Sequence, residues 1–278
     1  MIAVLRRVIK EPTGLFGLLL VALIVSSALL ADVFAPYDPV ALNIPDRLQS
    51  PSQSHLLGTD QLGRDLFSRV LHGGQVALGV ALAAIGASLV GGILLGMLAG
   101  FGPRWLDKAI LLFFDTVRSF PTVMFALATV ALVGPSLQTV IAVIIVTTIP
   151  VYGRVVRTQT LSIKSNEFIK AEQVIGAKST RILGMHVLPN IVGPLMILAS
   201  MDIPTVIALE AGLSFLGMGV KPPTPSWGSI LNAGFALIRV TPWPIIAGSI
   251  PLILTTLGFT YLGESLRDFI DPKLRKSF

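Results

Sequence analysis

Long apolar runs alternate along this chain with shorter segments that are rich in charge, glycine and proline. A helix needs about 20 mostly apolar residues to cross the hydrocarbon core of a bilayer. Six runs have roughly that length, so the pattern predicts an all-α membrane protein with six transmembrane helices. The predicted spans cover residues 14–34, 75–101, 109–133, 137–153, 187–211 and 243–263.

A further apolar stretch, residues 214–238, is predicted not to cross the membrane. Lys221 and the prolines that follow it interrupt this stretch. Only about a dozen apolar residues remain after them, too few for a span, and proline does not sustain a regular helix. We expect a structured loop with a short surface or re-entrant helix. Three long segments then lie outside the membrane, at residues 35–74, 154–186 and 213–242.

The first apolar run also resembles the core of a secretory signal peptide, because Arg6, Arg7 and Lys10 precede it. Residues 13–31, however, are free of charge for about 19 residues, whereas a signal core has roughly 7–15. We therefore expect an uncleaved first transmembrane helix.

The composition fits a bilayer environment, because 53% of the 278 residues are hydrophobic and only 13% are charged. A soluble protein of this size could not bury so much apolar surface. If the N-terminus is cytoplasmic, most lysines and arginines fall on the cytoplasmic side, as the positive-inside rule requires. Both termini are then cytoplasmic. The net charge of +6 reflects this topology, and we expect no nucleic-acid partner.

No residue pattern typical of an enzyme or of a resident cofactor occurs in the chain. There is no cysteine, and the three histidines lack the His-Glu-x-x-His spacing of a zinc site. The Gly-Ala-Lys-Ser stretch at residues 176–179 lacks two glycines that a nucleotide-binding P-loop requires. We expect no catalytic, metal or cofactor site in this chain.

Small residues recur at every fourth position of the second predicted span. Residues four apart lie on one face of a helix, so another backbone can approach this face closely. The face serves either for packing within the subunit or for contact across a subunit interface. Its members are Ala84, Ser88, Gly92, Gly96 and Gly100.

Four charged residues lie within or near the predicted spans. A charge at the bilayer centre costs about 2.5–3.5 kcal/mol, so such residues usually face protein or a water-filled path. Asp115 and Arg118 are three residues apart, which allows a local ion pair. Asp202 and Glu210 are two helical turns apart and point in similar directions. They either line a pathway or are buried against a partner helix.

The predicted cytoplasmic segment between the fourth and fifth spans has the character of an amphipathic helix that ends at Gly176. Phe168, Ala171 and Ile175 share its apolar face, and glycine at position 176 allows the chain to turn. Amphipathic helices outside the bilayer lie on lipid or dock into the groove of a partner protein. The candidate residues of this segment are Glu167, Phe168, Lys170, Ala171, Glu172, Gly176 and Ala177.

This segment resembles the coupling loop of binding-protein-dependent ABC importer permeases. The family pattern is Glu-Ala-Ala, three residues, glycine, nine residues, a hydrophobic residue, one residue and Leu-Pro. Gly176 matches the glycine, Val187 or a neighbour the hydrophobic residue, and Leu188-Pro189 closes the pattern. The stretch Lys-Ala-Glu at residues 170–172 replaces Glu-Ala-Ala, so only its middle alanine agrees.

Three other stretches resemble the C-type permease of dipeptide, oligopeptide and nickel importers. They are the Leu-Gly-Thr-Asp-Gln-Leu-Gly-Arg-Asp segment from residue 57, the Leu-Ser-Phe-Leu-Gly segment from residue 213 with its Pro-Pro-Thr-Pro-Ser-Trp-Gly continuation, and the tail at residues 266–274. The resemblance implies the type I ABC importer permease fold in a bacterial inner membrane. Residues 1–74 would form the first helix and an outer segment. Residues 75–278 would form a five-helix core with a coupling loop at 160–185.

The resemblance also implies partners. A B-type permease would complete the pathway as a heterodimer, and one or two cytoplasmic ABC ATPase subunits would hydrolyse ATP with Mg²⁺. A substrate-binding protein would dock outside, and lipid would surround the helices. Peptides are the expected cargo, with nickel, glutathione or another small solute as the alternatives. A different class, the ion-coupled secondary transporter, would use Asp202 and Glu210 as an ion site.

Overall fold

The computed structural model describes residues 9–270, and regular structure within them is helical, apart from an isolated bridge between Thr59 and Asp65. Two features of the sequence analysis lie outside the described residues. They are the terminal basic residues that we expect in the cytoplasm, such as Arg6 and Lys273, and the end of the tail motif. The helices are α1 (Pro12–Leu29), α2 (Ala31–Phe34), α3 (Leu66–Phe101), α4 (Arg104–Arg118), α5 (Thr122–Val133), α6 (Leu137–Lys164), α7 (Glu167–Val174), α8 (Ser179–Ile182), α9 (Leu188–Phe215), α10 (Trp227–Ala236) and α11 (Trp243–Ile270).

Within residues 9–270, five stretches are long and apolar enough to cross a membrane. They are α1, α3, α6, α9 together with the preceding α8, and α11. The bent pair α4 and α5 would complete a sixth span. The predicted all-α fold with about six membrane helices is therefore confirmed.

The third predicted span, residues 109–133, is not one straight helix. The axes of α4 and α5 differ by 85° across the break between them. Pro121 lies in this break; it has no backbone N–H, and a residue that precedes proline avoids the helical conformation. The prediction of an unbroken helix is wrong, because it followed the apolar run and ignored this proline.

Two helices continue well beyond their predicted ends. α3 begins at Leu66 rather than at residue 75, so the predicted division at residue 74 falls inside it. α6 continues to Lys164 rather than ending at residue 153. The prediction stopped α6 where charged residues begin, but these side chains have partners there. Lys164 donates a hydrogen bond to the backbone carbonyl of Phe101, with 3.1 Å between Nζ and O.

The segments predicted to lie outside the membrane gather at opposite ends of the helices. The outer segments meet where Trp227 of α10 donates from Nε1 to the carbonyl of Val70 in α3 at 2.9 Å. The short helix α10 occupies the stretch in which we expected one. The coupling segment lies at the other end, after Lys164. This separation agrees with the alternation of outer and cytoplasmic segments along the chain.

The centre of the molecule is the parallel contact between α3 and α6, in which Gly92 meets Tyr152 and Gly100 meets Thr160. The residues buried there include Ala84, Val143, Tyr152 and Val156. α1 packs along α11, where the rings of Phe16 and Tyr261 meet edge to face at 5.9 Å. Ser265 of α11 also donates to the Glu11 carboxylate at 2.8 Å, which ties the start of α1 to α11.

Candidate coupling segment and membrane-embedded polar groups

The coupling helix α7 stands directly after the end of α6, separated from it by two residues. Asn166 begins the helix in extended conformation, and Gly176 ends the turn after it at φ +84°. That left-handed value favours glycine, because a Cβ is strained there. One side chain of α7, Ile169, is fully buried in the main core and anchors the helix.

The apolar residues at the C-terminal end of α7 are directed away from the rest of the chain. Val174 is 88% exposed and Ile175 is 83% exposed. Phe168 is 49% exposed, and Ala171 is exposed as well. The predicted apolar face therefore lies mainly at the surface, although the prediction did not include Ile169, which is the buried residue.

His186 holds α7 against the turn that leads into α9. Its ring lies 5.9 Å from the Phe168 ring, and its Nε2 atom is 3.5 Å from Oε1 of Glu172. The turn Leu183–Val187 has π-helical geometry. Of the other candidates, Lys170 is exposed and Ala177 packs against the core. Sequence reasoning missed His186, because it lies far along the chain from the residues it contacts.

The structure does not bring Asp202 and Glu210 together into one site. The half-buried Asp202 accepts a hydrogen bond of 2.7 Å from the Tyr152 hydroxyl of α6. Glu210 is fully buried near the outer end of α9, where its Oε1 accepts a hydrogen bond of 2.6 Å from Ser214. Glu210 Oε2 has no hydrogen-bond partner among the described residues. Sequence reasoning did not identify Tyr152, because it lies 50 positions from Asp202 along the chain.

The local ion pair predicted between Asp115 and Arg118 is wrong. Asp115 pairs instead with Arg154 of α6. About two helical turns before Asp115 in α4, Asp107 accepts two hydrogen bonds from Arg157, at 2.5 and 2.6 Å. Two arginines of α6 thus bind the two carboxylates of α4. Pairs between different helices cannot be predicted from the spacing of residues within one helix.

The ladder of small residues faces α6 of the same chain. Cβ atoms added at Gly92 or Gly96 would lie 2.5 Å from atoms of Tyr152 and Gly153 in α6. Such distances are shorter than a van der Waals contact, so the two backbones approach as closely as glycine allows. All five ladder residues, Ala84, Ser88, Gly92, Gly96 and Gly100, are buried.

The outer segment before α3 contains a buried polar network that sequence reasoning overlooked. Asp60 binds Arg64 at 2.7 Å and lies 3.7 Å from Arg69. Asp65 accepts hydrogen bonds of 2.9 Å from His55 and 2.7 Å from the Ser68 backbone, which caps α3. Asp60, Arg64 and Asp65 belong to the motif from residue 57, and the recurrence of Asp and Arg there was the available signal.

Comparison with protein families gives two matches that together extend over most of the chain. Residues 92–276 match the family described as the binding-protein-dependent transport system inner membrane component. Residues 2–51 match the N-terminal transmembrane domain of oligopeptide transport permease C.

Curated relatives are similar over nearly the whole length. The dipeptide transport system permease protein DppC of Alkalihalophilus pseudofirmus is 35% identical, with 97% of this chain and 89% of that protein covered. The di/tripeptide permease DppC of Pseudomonas aeruginosa is 37% identical, with 95% and 89% covered. The glutathione permease GsiD of Pectobacterium atrosepticum is 38% identical, with 98% and 89% covered.

The fold is similar to that of a chain in a solved ABC transporter. A chain of the MetNI methionine ABC transporter in an inward-facing conformation matches with a TM-score of 0.59 and 18% identity. The match covers 73% of this chain and 97% of that chain. The type I importer permease fold expected above is confirmed. By family match and by relatives of nearly full length, the chain belongs to the binding-protein-dependent transport system inner membrane components.

Proposed function

We propose that this permease carries small peptides inward and that α7 receives the mechanical work of a cytoplasmic ABC ATPase. The proposal that α7 couples to an ATPase rests on one observation. The C-terminal end of α7 is apolar and exposed, and a single buried residue, Ile169, anchors the helix. The cargo part rests on the relatives, whose names specify dipeptides, di- and tripeptides and glutathione. Glutathione is itself a tripeptide, so all three names belong to one chemical class.

The exposure of Val174 and Ile175 favours a protein partner at α7. Exposed apolar side chains gain free energy when a partner removes them from water, at about 25 cal/mol per Å² buried. A short amphipathic helix that enters a groove is a common mode of recognition. The cytoplasmic side that the basic residues predict for α7 is the side on which an ATPase would be available. ATP and Mg²⁺ would be bound by that partner.

Movement of α7 would reach the membrane through α6 and α9. α6 is continuous for 28 residues, and α7 follows it after two residues. On the other side, contacts from Phe168 and Glu172 to His186 connect α7 to the turn before α9. A pull on α7 would therefore move both helices together, and the hydrogen bond between Tyr152 and Asp202 joins the same two helices inside the membrane.

A second permease would supply the other half of the pathway, and Asp202 is our candidate for the pathway wall. Its carboxylate is half-buried and has one hydrogen bond among residues 9–270, so part of it is available to a partner or to water. Glu210 is fully enclosed and is instead a candidate for support of the outer loop through Ser214. The outer segments before α3 and around α10 form the surface on which a binding protein would dock.

The coupling proposal is tested by Val174→Asp in the complete complex of both permeases, the ATPase and the binding protein. Because Val174 is largely exposed, the introduced charge should leave folding intact. It should weaken binding to the ATPase, because the apolar contact of Val174 with that partner is lost. We expect a loss of at least tenfold in peptide uptake per ATP hydrolysed in proteoliposomes. Val240→Asp is the control for folding and assembly, since Val240 is 70% exposed at the opposite end of the molecule, and it should leave binding of the ATPase intact. Normal uptake and normal ATPase stimulation in Val174→Asp would contradict the proposal.

The cargo proposal is tested separately, by mass spectrometry of the ligand that co-purifies with the partner binding protein. We expect di- or tripeptides and competition between them for uptake through the complex. Recovery of a metal ion alone would overturn the peptide assignment while leaving the coupling proposal intact. Uptake by this chain alone, driven by an ion gradient without ATP, would favour the secondary-transporter alternative.

A further inference from the structure

Helix α4 has a broad surface that no other part of residues 9–270 covers. Its buried side carries Ile110, Phe114 and Val117. On the opposite side, Trp105 and Leu112 are each 69% exposed. The exposed surface is therefore not simply the polar face of a helix in water.

The exposed surface of α4 divides into two adjacent arcs. Successive residues of an α-helix are separated by about 100° around its axis. One arc is apolar or weakly polar and contains Trp105, Ala109, Leu112 and Thr116. The neighbouring arc is charged and contains Arg104, Lys108, Asp115 and Arg118.

The charged arc is cationic once the ion pairs with α6 are considered. Asp115 is bound by Arg154, and Asp107 at the border of the buried side is bound by Arg157. Arg104, Lys108 and Arg118 have no carboxylate within ion-pair distance in residues 9–270. The contact of α4 with α6 thus neutralises the carboxylates of α4 and leaves its cations exposed.

The ion pairs also define the depth of α4. The two arginines lie 17 and 20 residues after Leu137, about 26 and 30 Å along α6, which is close to the roughly 30 Å thickness of the hydrocarbon core. If α6 begins at the outer interface, α4 lies at the cytoplasmic one. The 85° bend between α4 and α5 then turns α4 toward the membrane plane, so that the sixth span of this bent pair crosses the core mainly through α5 and the residues beside it.

We propose that α4 lies in the cytoplasmic membrane interface, with its apolar arc in lipid and its cationic arc on anionic phospholipid headgroups. Helices with adjacent apolar and basic faces bind interfaces in this manner. Tryptophan prefers the level of the headgroups, and lysine and arginine side chains are attracted to an anionic leaflet. The membrane contact would hold the cytoplasmic ends of α3 and α6, on which α4 packs.

The depth of α4 is measured with single cysteines at positions 105, 109, 112 and 116 in the full complex in lipid nanodiscs. The natural chain has no cysteine, so each variant has one thiol in this subunit. Bimane labels are quenched by lipids brominated at different acyl depths. We expect all four labels at one shallow depth. A transmembrane α4 would instead give a depth change of about 16 Å over eleven residues, and labels shielded from every brominated lipid would indicate a protein partner; either result overturns the proposal.

The headgroup preference is measured with bimane at position 116, by comparison of brominated phosphatidylglycerol with brominated phosphatidylcholine. We expect roughly a twofold or larger preference for the anionic lipid, and its loss in Arg104→Gln/Lys108→Gln/Arg118→Gln. If the triple variant does not assemble, Lys108→Gln alone should lower the preference partly. Arg47→Gln, an exposed arginine of the outer segment, should not change it. An unchanged preference without the cations would refute the headgroup contact.

Discussion

Single residues determine how closely α3 and α6 approach each other. At Gly92 the added Cβ would lie 2.5 Å from Cβ of Tyr152, whereas at Gly86 of the same helix no atom lies within 4 Å. The two glycines lie in the same helix but differ in how closely α6 approaches them. They are therefore a matched pair for mutation.

We predict that Gly92→Ala destabilises the chain and that Gly86→Ala does not. The methyl group at position 92 should force the helices apart, with a cost of about 1–3 kcal/mol that is typical of overpacking. At position 86 alanine should be neutral or slightly stabilising, because glycine costs about 0.5–1 kcal/mol inside a helix. Thermal unfolding of both variants in detergent measures the difference. Equal midpoints would show that the close approach contributes little.

The two ion pairs between α4 and α6 should differ in strength. The Asp107 and Arg157 side chains are 22% and 24% exposed, whereas those of Asp115 and Arg154 are 65% and 43% exposed. Exposed ion pairs contribute about 0–1 kcal/mol, and hydrogen bonds to charged groups in less exposed sites about 1.5–3 kcal/mol. We predict a larger fall in the unfolding midpoint for Asp107→Asn than for Asp115→Asn. The reverse order would contradict the assigned geometry.

Which residues carry charge into the spans could be predicted from the sequence, but their partners could not. We predicted the pair of Asp115 and Arg118 from their spacing, and spacing indicates only which residues are close within one helix. The actual partner of Asp115 comes from α6, and Asp202 likewise bonds Tyr152 from another helix. Such pairs depend on how helices pack, and the apolar periodicity does not specify this.

At the scale of helices, the polar cap at the start of α3 explains why this helix begins before the membrane. Asp65 accepts hydrogen bonds of 2.7 Å from both the backbone N–H and the hydroxyl of Ser68. The apolar run starts only near residue 75, so hydropathy alone placed the start too late. The cap was present in the sequence, and helix capping rather than hydropathy determines the boundary.

We predict that Asp65→Ala frays the outer turns of α3. Loss of an N-cap costs about 0.5–2 kcal/mol, and His55 would also lose its partner. Hydrogen exchange should become faster in residues 66–69 and remain unchanged near the centre of α3. The control is Asp38→Ala, since Asp38 caps only an exposed turn through the Val40 amide. Unchanged exchange in Asp65→Ala would show that the cap is not what begins the helix.

The number and type of the membrane helices followed from the sequence, because apolar length is a direct physical requirement of the bilayer. The break between α4 and α5 was missed because Pro121 lies inside an apolar run. The separate helix α7 was predicted from its periodicity and Gly176, yet its buried anchor, Ile169, was not. Burial on so short a helix is decided by the neighbours, α6 and the turn before α9.

At the scale of the whole molecule, the outer segments and the coupling segment lie at opposite ends of the helices. The proposed mechanism needs the coupling end in the cytoplasm, where ATP is available, and the other end where a binding protein delivers cargo. The basic residues predict this orientation.

The orientation is tested most directly with a membrane-impermeant maleimide on intact spheroplasts that carry Ser50→Cys or Ser165→Cys. Both serines are exposed, and the chain contains no natural cysteine. We predict labelling at position 50 in intact spheroplasts and labelling at position 165 only after the membrane is permeabilised. Labelling at position 165 in intact spheroplasts would place α7 outside the cell and contradict the account.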